Sequence, residues 1–297
     1  MEVLFLGSSG ATMTPRVGCP CRICERARKL GGRDRRSGPS LYLTAGGAPA
    51  PQRPGVLIDT PEEIHSALLR WDVTRVDAVF YTHWHPDHTA GVRLFEHLNM
   101  DWLHPGGPRP RRTTPVYLPE RVARDFETRH GLMEKLRYLE ARQLIEVREI
   151  GAGQVVHEAG LELRAYPMAN PELWTYEVRG DGRRAVLAVD DTRGYQPEEF
   201  LSGADLVVLE TGWFTHGGNG ERLLPKGFAS LALEASFEES LEIARRLGAR
   251  RTVFTHIEEI NQRFPEDYEA LAASPPLREI HAEFAVDGLR IQVGEGE

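Results

Sequence analysis

The stretch Phe80-Tyr-Thr-His-Trp-His-Pro-Asp-His-Thr89 decides how this chain is read. It opens as the end of an apolar strand, Asp77 to Thr82, and then presents His83, His85, Asp87 and His88 within six residues. Imidazole nitrogen and carboxylate oxygen are the donors that Zn²⁺, Mn²⁺ and Fe²⁺ prefer, and a turn directly after a strand lets neighbouring side chains converge. A polar loop whose histidines only hydrogen-bond is the competing reading. The density of ligands against an apolar strand argues against it.

Short strands and helices alternate on both sides of this stretch. Glu2 to Leu6, Ser40 to Thr44 and Gly55 to Asp59 precede it as strands, by their β-branched and aromatic residues and their Gly/Pro borders. After it come Pro115 to Leu118, Leu144 to Ile150, Leu161 to Tyr166, Trp174 to Arg179, Arg184 to Val189, Ala204 to Leu209 and Arg251 to Thr255, with closing strands around Ile280 to Val286 and Leu289 to Val293. Two helices are marked by caps as well as spacing. Pro61 opens one carrying Ile64, Leu68 and Trp71, and Ser236-Phe-Glu-Glu239 has the capping-box form, with Gly248 as the stop. Many strands interleaved with helices predict an α/β fold of two sheets, each covered on its outer face by helices. Gly106 to Thr114, rich in Pro, Gly and Arg, reads as an inserted loop.

At 297 residues the chain is long enough for one large domain, and its net charge of −8 argues against bulk binding to nucleic acid or an anionic membrane. The Met1 start lacks a basic, then apolar, leader, and no apolar run reaches the roughly 18 residues of a spanning helix, so the cytoplasm is the expected location. The basic residues are nearly all Arg, Lys being confined to positions 29, 135 and 226. A small-molecule substrate is the partner expected, with a homodimer left open.

All three cysteines fall in Gly18-Cys-Pro-Cys-Arg-Ile-Cys24. In a cytosolic chain this spacing favours metal over disulfide, since an odd count leaves one thiol unpaired. Three thiolates are one ligand short of a closed tetrahedral zinc site.

The run His83-x-His85-x-Asp87-His88 resembles the signature of the metallo-β-lactamase superfamily. Leu4-Phe-Leu-Gly-Ser-Ser-Gly10, Leu57-Ile-Asp59, Ala188-Val-Asp-Asp-Thr192 and Val253-Phe-Thr-His256 match further family segments. The resemblance implies an αββα sandwich, two mixed sheets flanked by helices, in one domain over 1–297 with an inserted segment around 99–143. It implies a catalytic centre of one or two Zn²⁺ or Mn²⁺ ions, the first held by His83, His85 and Asp191, the second by Asp87, His88, Asp191 and His256. Asp190 competes for the bridging place, and the match of Asp191-Thr192 to the family's Asp-Thr pair favours Asp191.

A narrower resemblance, to the phosphoribosyl cyclic phosphodiesterase of phosphonate breakdown and to the pyrroloquinoline-quinone biosynthesis B protein, rests on the Cys-x-Cys-x-x-Cys run and on Arg33-Asp-Arg-Arg-Ser-Gly-Pro-Ser40. It implies a structural zinc on Cys19, Cys21 and Cys24, with Glu259 where the branch has a fourth ligand His. Two further family histidines are replaced. Asn170 stands at the third His of the first site, which implies a weaker site there or substitution by Glu172 or Glu234. Glu234, in Leu233-Glu-Ala-Ser236, replaces a His close to substrate, with His216 as an alternative proton donor. The reaction implied is hydrolysis by a metal-activated water, with Asp87 or Asp191 orienting or deprotonating it. A phosphodiester or cyclic phosphate is the substrate expected, with Arg109, Arg111 and Arg112 of the inserted loop as candidate phosphate binders and a solvated loop as the equal alternative. A non-phosphate ester, thioester or lactone, and a non-catalytic metal-binding scaffold, are the alternatives.

Overall fold

The computed structural model describes residues 1–46, 53–224 and 234–294, so Lys226 and Leu233 lie outside the described residues. The first half of the chain runs β1 (Glu2–Gly7), α1 (Arg22–Leu30), β2 (Ser40–Thr44), β3 (Gly55–Ile58), α2 (Ile64–Arg70), β4 (Ala78–Phe80), α3 (Pro86–Thr89), α4 (Leu94–Asn99), β5 (Met100–Asp101), β6 (Arg109–Pro110), β7 (Thr114–Pro119), α5 (Glu120–Thr128), α6 (Leu132–Ala141) and β8 (Ile145–Ile150). The second runs β9 (Val156–Glu158), β10 (Leu161–Pro167), β11 (Trp174–Gly180), β12 (Arg183–Ala188), β13 (Leu206–Glu210), α7 (Phe237–Leu247), β14 (Thr252–Thr255), α8 (Pro265–Ala272), α9 (Pro275–Arg278), β15 (Ala282–Phe284) and β16 (Arg290–Gln292).

Two seven-stranded mixed sheets result, ordered β16-β1-β2-β3-β4-β7-β8 and β15-β14-β13-β12-β11-β10-β9, while β5 and β6 pair by themselves. Each sheet has one face toward the other sheet and one toward helices, and the sequence of each strand reflects this. In β13, Leu206 and Val208 join the core between the sheets, whereas Val207 and Leu209 join the core under α7. Such a strand is apolar at every position. β8 and β10 lie toward the sheet ends: β10 alternates buried with half-exposed residues, and β8 buries only Ile145 and Ile150 at its ends. Each large apolar side chain taken out of water contributes about 1.5–3 kcal/mol, so the double-faced strands carry most of the cohesion.

The expected αββα architecture is the one observed. Helix α7 has both halves of the Ser236/Glu239 capping box and ends at Gly248 with φ 52°. Helix α2 starts later than its Pro61 suggests: Ile64 N donates to Pro61 O in a tight turn, and Glu63 turns its carboxylate to Gly38 N at 2.6 Å. Among the described residues no helix is long and apolar enough to cross a membrane.

Replacing Ser236 by Ala removes the acceptor of the Glu239 amide and should cost about 1 kcal/mol, lowering the melting temperature by about 2–4 °C. Calorimetry of the variant checks this, and an unchanged melting temperature refutes the cap's contribution.

Candidate metal centre

Strands β3 and β4 are parallel neighbours in the first sheet, and β12, β13 and β14 in the second. Their C-terminal ends present Asp59, then Thr82 and His83, then Asp190, Glu210 and His256. The two sheets are joined at this end, since Tyr176 Oη donates to Tyr81 O at 2.8 Å and Trp174 N to Thr82 O at 3.2 Å.

Asp190 is the carboxylate around which the histidines gather. Its Oδ2 lies 3.0 Å from His83 Nε2, 3.6 Å from His88 Nε2 and 3.8 Å from His85 Nδ1, and its Oδ1 lies 3.3 Å from His256 Nε2. Asp87 Oδ2 is 3.4 Å from His88 Nε2 and 3.6 Å from His256 Nε2. None of these contacts completes a hydrogen bond for the Nε2 atoms of His83, His88 and His256, which are buried and, among the described residues, without a partner. Burial alone would raise the Asp190 carboxyl, but His256, His83 and His85 around it hold it well below its ordinary range. Burial alone would lower His256, but Asp190 and Asp87 hold it well above.

The surrounding residues fix which nitrogen each histidine offers. Asp59, fully buried, accepts from His88 Nδ1 at 2.7 Å and from Thr82 N and Oγ1 at 2.8 and 2.7 Å. With a proton on Nδ1, His88 turns its Nε2 lone pair toward Asp190 and Asp87. Thr82 Oγ1 meets His83 Nδ1 at 3.0 Å in the same way. Asp59, Asp191 and His256 all have positive φ (61°, 29° and 56°), a conformation that non-glycine residues adopt at a cost and that clusters at functional sites. Gly91 lets the chain after the motif press on the loop after β3: a Cβ there would meet Pro61 O at 2.1 Å.

The remaining sequence candidates sit in different surroundings. Asp190, the competitor named for the bridging place, is the carboxylate the histidines surround, and Asp191 is not. Asp191 is half-buried, and it is its backbone N–H that serves the centre, by donating to Asp190 Oδ1 at 2.8 Å. Asn170 donates to Asp191 Oδ2 at 3.3 Å and accepts from Glu172 N at 3.2 Å, so its amide oxygen is spent in a local turn. Glu172 is held by Trp84 Nε1 at 2.7 Å and Arg129 Nη2 at 3.1 Å, away from a ligand's role. Glu234 accepts from Trp213 Nε1, and burial pushes its carboxyl up to about 7 despite that bond. His216 is exposed and beside Arg263, outside the cluster. The arginine loop lies at the wrong end of the sheet. Arg112 donates to Thr114 at the start of β7, whose register with β4 puts Thr114 level with Asp77, five residues or roughly 16 Å before Thr82. Glu210 went unmarked in the sequence although it closes an apolar strand as Asp59 does. Burial and the neighbouring Asp190 charge push it up to about 8, and it accepts from Thr192 N at 2.6 Å.

The three cysteines and Glu259 come together in space. Cys19, Cys21, Cys24 and Glu259 offer ligand atoms that all lie within 4.8 Å of one another. Cys24, Cys21 and Cys19 direct their thiols at Glu259 Oε2 over 2.9, 3.1 and 3.5 Å. Arg16 pairs with the other oxygen, Oε1, at 2.6 Å.

Residues 55–257 match the family model for the beta-lactamase superfamily domain, and the chain belongs to that superfamily, in its metallo-β-lactamase form. Among solved structures it resembles a diphosphatase of the PhnP family at TM-score 0.71, with 24% identity over 98% of this chain and 97% of that one. Zn²⁺-bound PqqB from Methylobacterium extorquens gives 0.66 with 17% identity over 98% and 100%. Human tRNase Z, short form, gives 0.63 with 16% identity over 99% and 100%. At these identities the likeness is one of fold. Over 92 residues the chain is 34% identical to an octanoyltransferase of Porphyromonas gingivalis, a match spanning 31% of this chain but 17% of that protein.

Asp59→Asn keeps the shape but places an amide against His88 Nδ1, so the Nε2 lone pair is no longer secured. Metal affinity measured by competition with a chelator should fall about 10- to 100-fold. Unaltered affinity refutes the orienting role.

Proposed function

We propose that the chain is a metal-dependent hydrolase acting on a small phosphodiester or cyclic phosphate. The observation that carries the metal is the set of three buried imidazole Nε2 atoms, each without a hydrogen-bond partner, around Asp190 and Asp87. Buried polar atoms are nearly always paired, so three together mark a place built for a cation. Imidazole and carboxylate suit Zn²⁺ or Mn²⁺. His83, His85 and Asp190 would hold one ion, and Asp87, His88, Asp190 and His256 a second. When bound, such an ion supplies Lewis acidity and brings a water's pKa toward about 7.

The chain's own groups supply position and proton handling. Asp59 and Thr82 fix the imidazoles, and Asp87 and Asp190 are the carboxylates placed to orient a nucleophile and take its proton. Glu234, pushed up to about 7 by burial, holds a proton near neutrality and is the group we assign to leaving-group protonation. His85 is the solvent-facing member of the set, with a side chain 40% exposed. The Trp84 ring abuts it at 4.5 Å, and the Arg129 guanidinium lies over that ring at 4.6 Å, so Arg129 is the cation on the open side in place of the arginine loop. The phosphorus-centred substrate is supported by the narrower family resemblance and by neighbours described as a diphosphatase and a tRNase Z. With Asn170 engaged elsewhere, the His83/His85 side is the ligand-poor one, and the two ions should bind with unequal affinity. We also assign a structural zinc to the three thiols and Glu259, a donor set in which soft sulfur selects zinc and Arg16 offsets surplus negative charge.

Asp190→Ala should abolish both catalytic metal and turnover of bis-nitrophenyl phosphate, while Asp191→Ala retains most of the metal. Elemental analysis and a colorimetric assay decide. Metal lost with Asp191 but kept without Asp190 overturns the assignment, and wild-type protein loaded with metal but inert on phosphodiesters overturns the substrate class.

Cys21→Ser should release one equivalent of zinc and lower the melting temperature by several degrees, because a closed zinc site contributes directly to folding. Unchanged zinc content and stability would mean three free thiols.

A further inference from the structure

On the far side of the His256 segment from the metal centre, β15, α8 and the loop before β16 enclose a cavity of about 330 Å³. Its wall is largely apolar, from Ile257, Phe284, Ala285 and Leu289. Two acids reach it, and each is already neutralised: Glu269 by Arg33 at 2.6 Å and Glu283 by Arg251. Arg36 also lines the cavity. It is 4% exposed and lies over the Tyr268 ring at 5.4 Å, and its Nη2 donates to the Arg263 carbonyl in a long hydrogen bond of 3.4 Å. Among the described residues its Nη1 has no acceptor and no carboxylate pairs with it. Tyr268 Oη, another lining group, is buried without a completed hydrogen bond although Asn261 approaches it.

A buried guanidinium with no counter-charge is costly, and an unsatisfied buried donor beside it adds to the cost. Cavities of this size with an apolar wall and a few converging polar groups are the usual form of a small-molecule site. We propose that this cavity binds a small monoanionic amphiphile, an alkyl or aryl carboxylate. Its carboxylate pairs with Arg36 and accepts from Tyr268, and its apolar body lies against Phe284, Ile257 and Leu289. A carboxylate matches the planar fork of Arg, and an aryl or alkyl body matches the wall.

The test is calorimetric titration of the metal-loaded full chain with hexanoate and 4-phenylbutyrate, with 4-phenylbutyramide and inorganic phosphate as partial mimics. At least one carboxylate should bind, with the amide and phosphate weaker by about tenfold or more. Arg36→Met and Ala272→Phe, the second adding bulk at the half-exposed, cavity-lining end of α8, should each weaken binding about tenfold or more. His85→Ala should leave it unchanged, which separates this cavity from the metal centre. Absence of binding by both carboxylates, equal binding of the amide, or loss of binding in His85→Ala with retention in Ala272→Phe overturns the proposal.

Discussion

Parallel pairing within both sheets is the constraint on which the centre depends. Because β3 and β4 run together, and β12, β13 and β14 run together, their C-terminal ends come out on one side of the sandwich. Their interiors are Val, Leu, Ile, Ala and Phe because both faces are covered. Polar side chains can enter only where these runs stop, and they stop at Asp59, Thr82, Asp190, Glu210 and His256. The core therefore decides the position of the chemistry, and the site's carboxylates and imidazoles must satisfy one another because buried charge is tolerated only when paired.

The part of the centre on one continuous segment was readable from the sequence. Four ligands in six residues after an apolar strand have few other uses, and the same local logic grouped the three cysteines. What depended on direction in space was not readable. Asp190 and Asp191 are adjacent and chemically identical; the choice between them is made by the backbone beyond β12, where Asp191 takes a positive φ and turns its amide back to Asp190. The arginine loop follows the metal motif in sequence yet returns to the opposite end of β4, because β7 runs parallel to β4 and the chain must come back to the sheet's starting edge first. Glu210 had a signal, an acid closing an apolar strand, that only its register with Asp190 and His256 makes meaningful.

The segment His256 to Glu259 links the two clusters. His256 faces Asp190, and three residues later Glu259 faces the thiols. Between them, Ile257 N donates to Ser8 O at 2.8 Å and Gly10 N to Ile257 O at 3.2 Å, and Glu258 accepts from Ala11 N at 2.8 Å. Gly10 leaves room for that carboxylate, since a Cβ there would lie 2.1 Å from Glu258 Oε1 and displace it. The loop after β1 thus braces the turn that gives His256 its positive φ, and the cysteine cluster anchors that loop's continuation at α1.

This bracing explains why the centre can be uneven without collapsing. His88 and His256 are each held by groups outside the ligand set, His88 by Asp59 and His256 by its braced turn, so their geometry does not need the metal to define it. The side of His83 and His85 lacks such redundancy: His83 has Thr82, but His85 is half-exposed, and Asn170, where the family resemblance expects a third imidazole, commits its amide to Asp191 and Glu172. Among the described residues Asp191 Oδ1 is buried without a hydrogen-bond partner, and burial raises the pKa of that carboxyl, so the polar deficit beside Asn170 rests on a carboxylate. Under the proposed two-ion centre, a cation entering from that side would meet fewer fixed donors, and the affinity of the first site would depend on how far Asp191 and His85 can move, whereas that of the second would depend on a frame already in place.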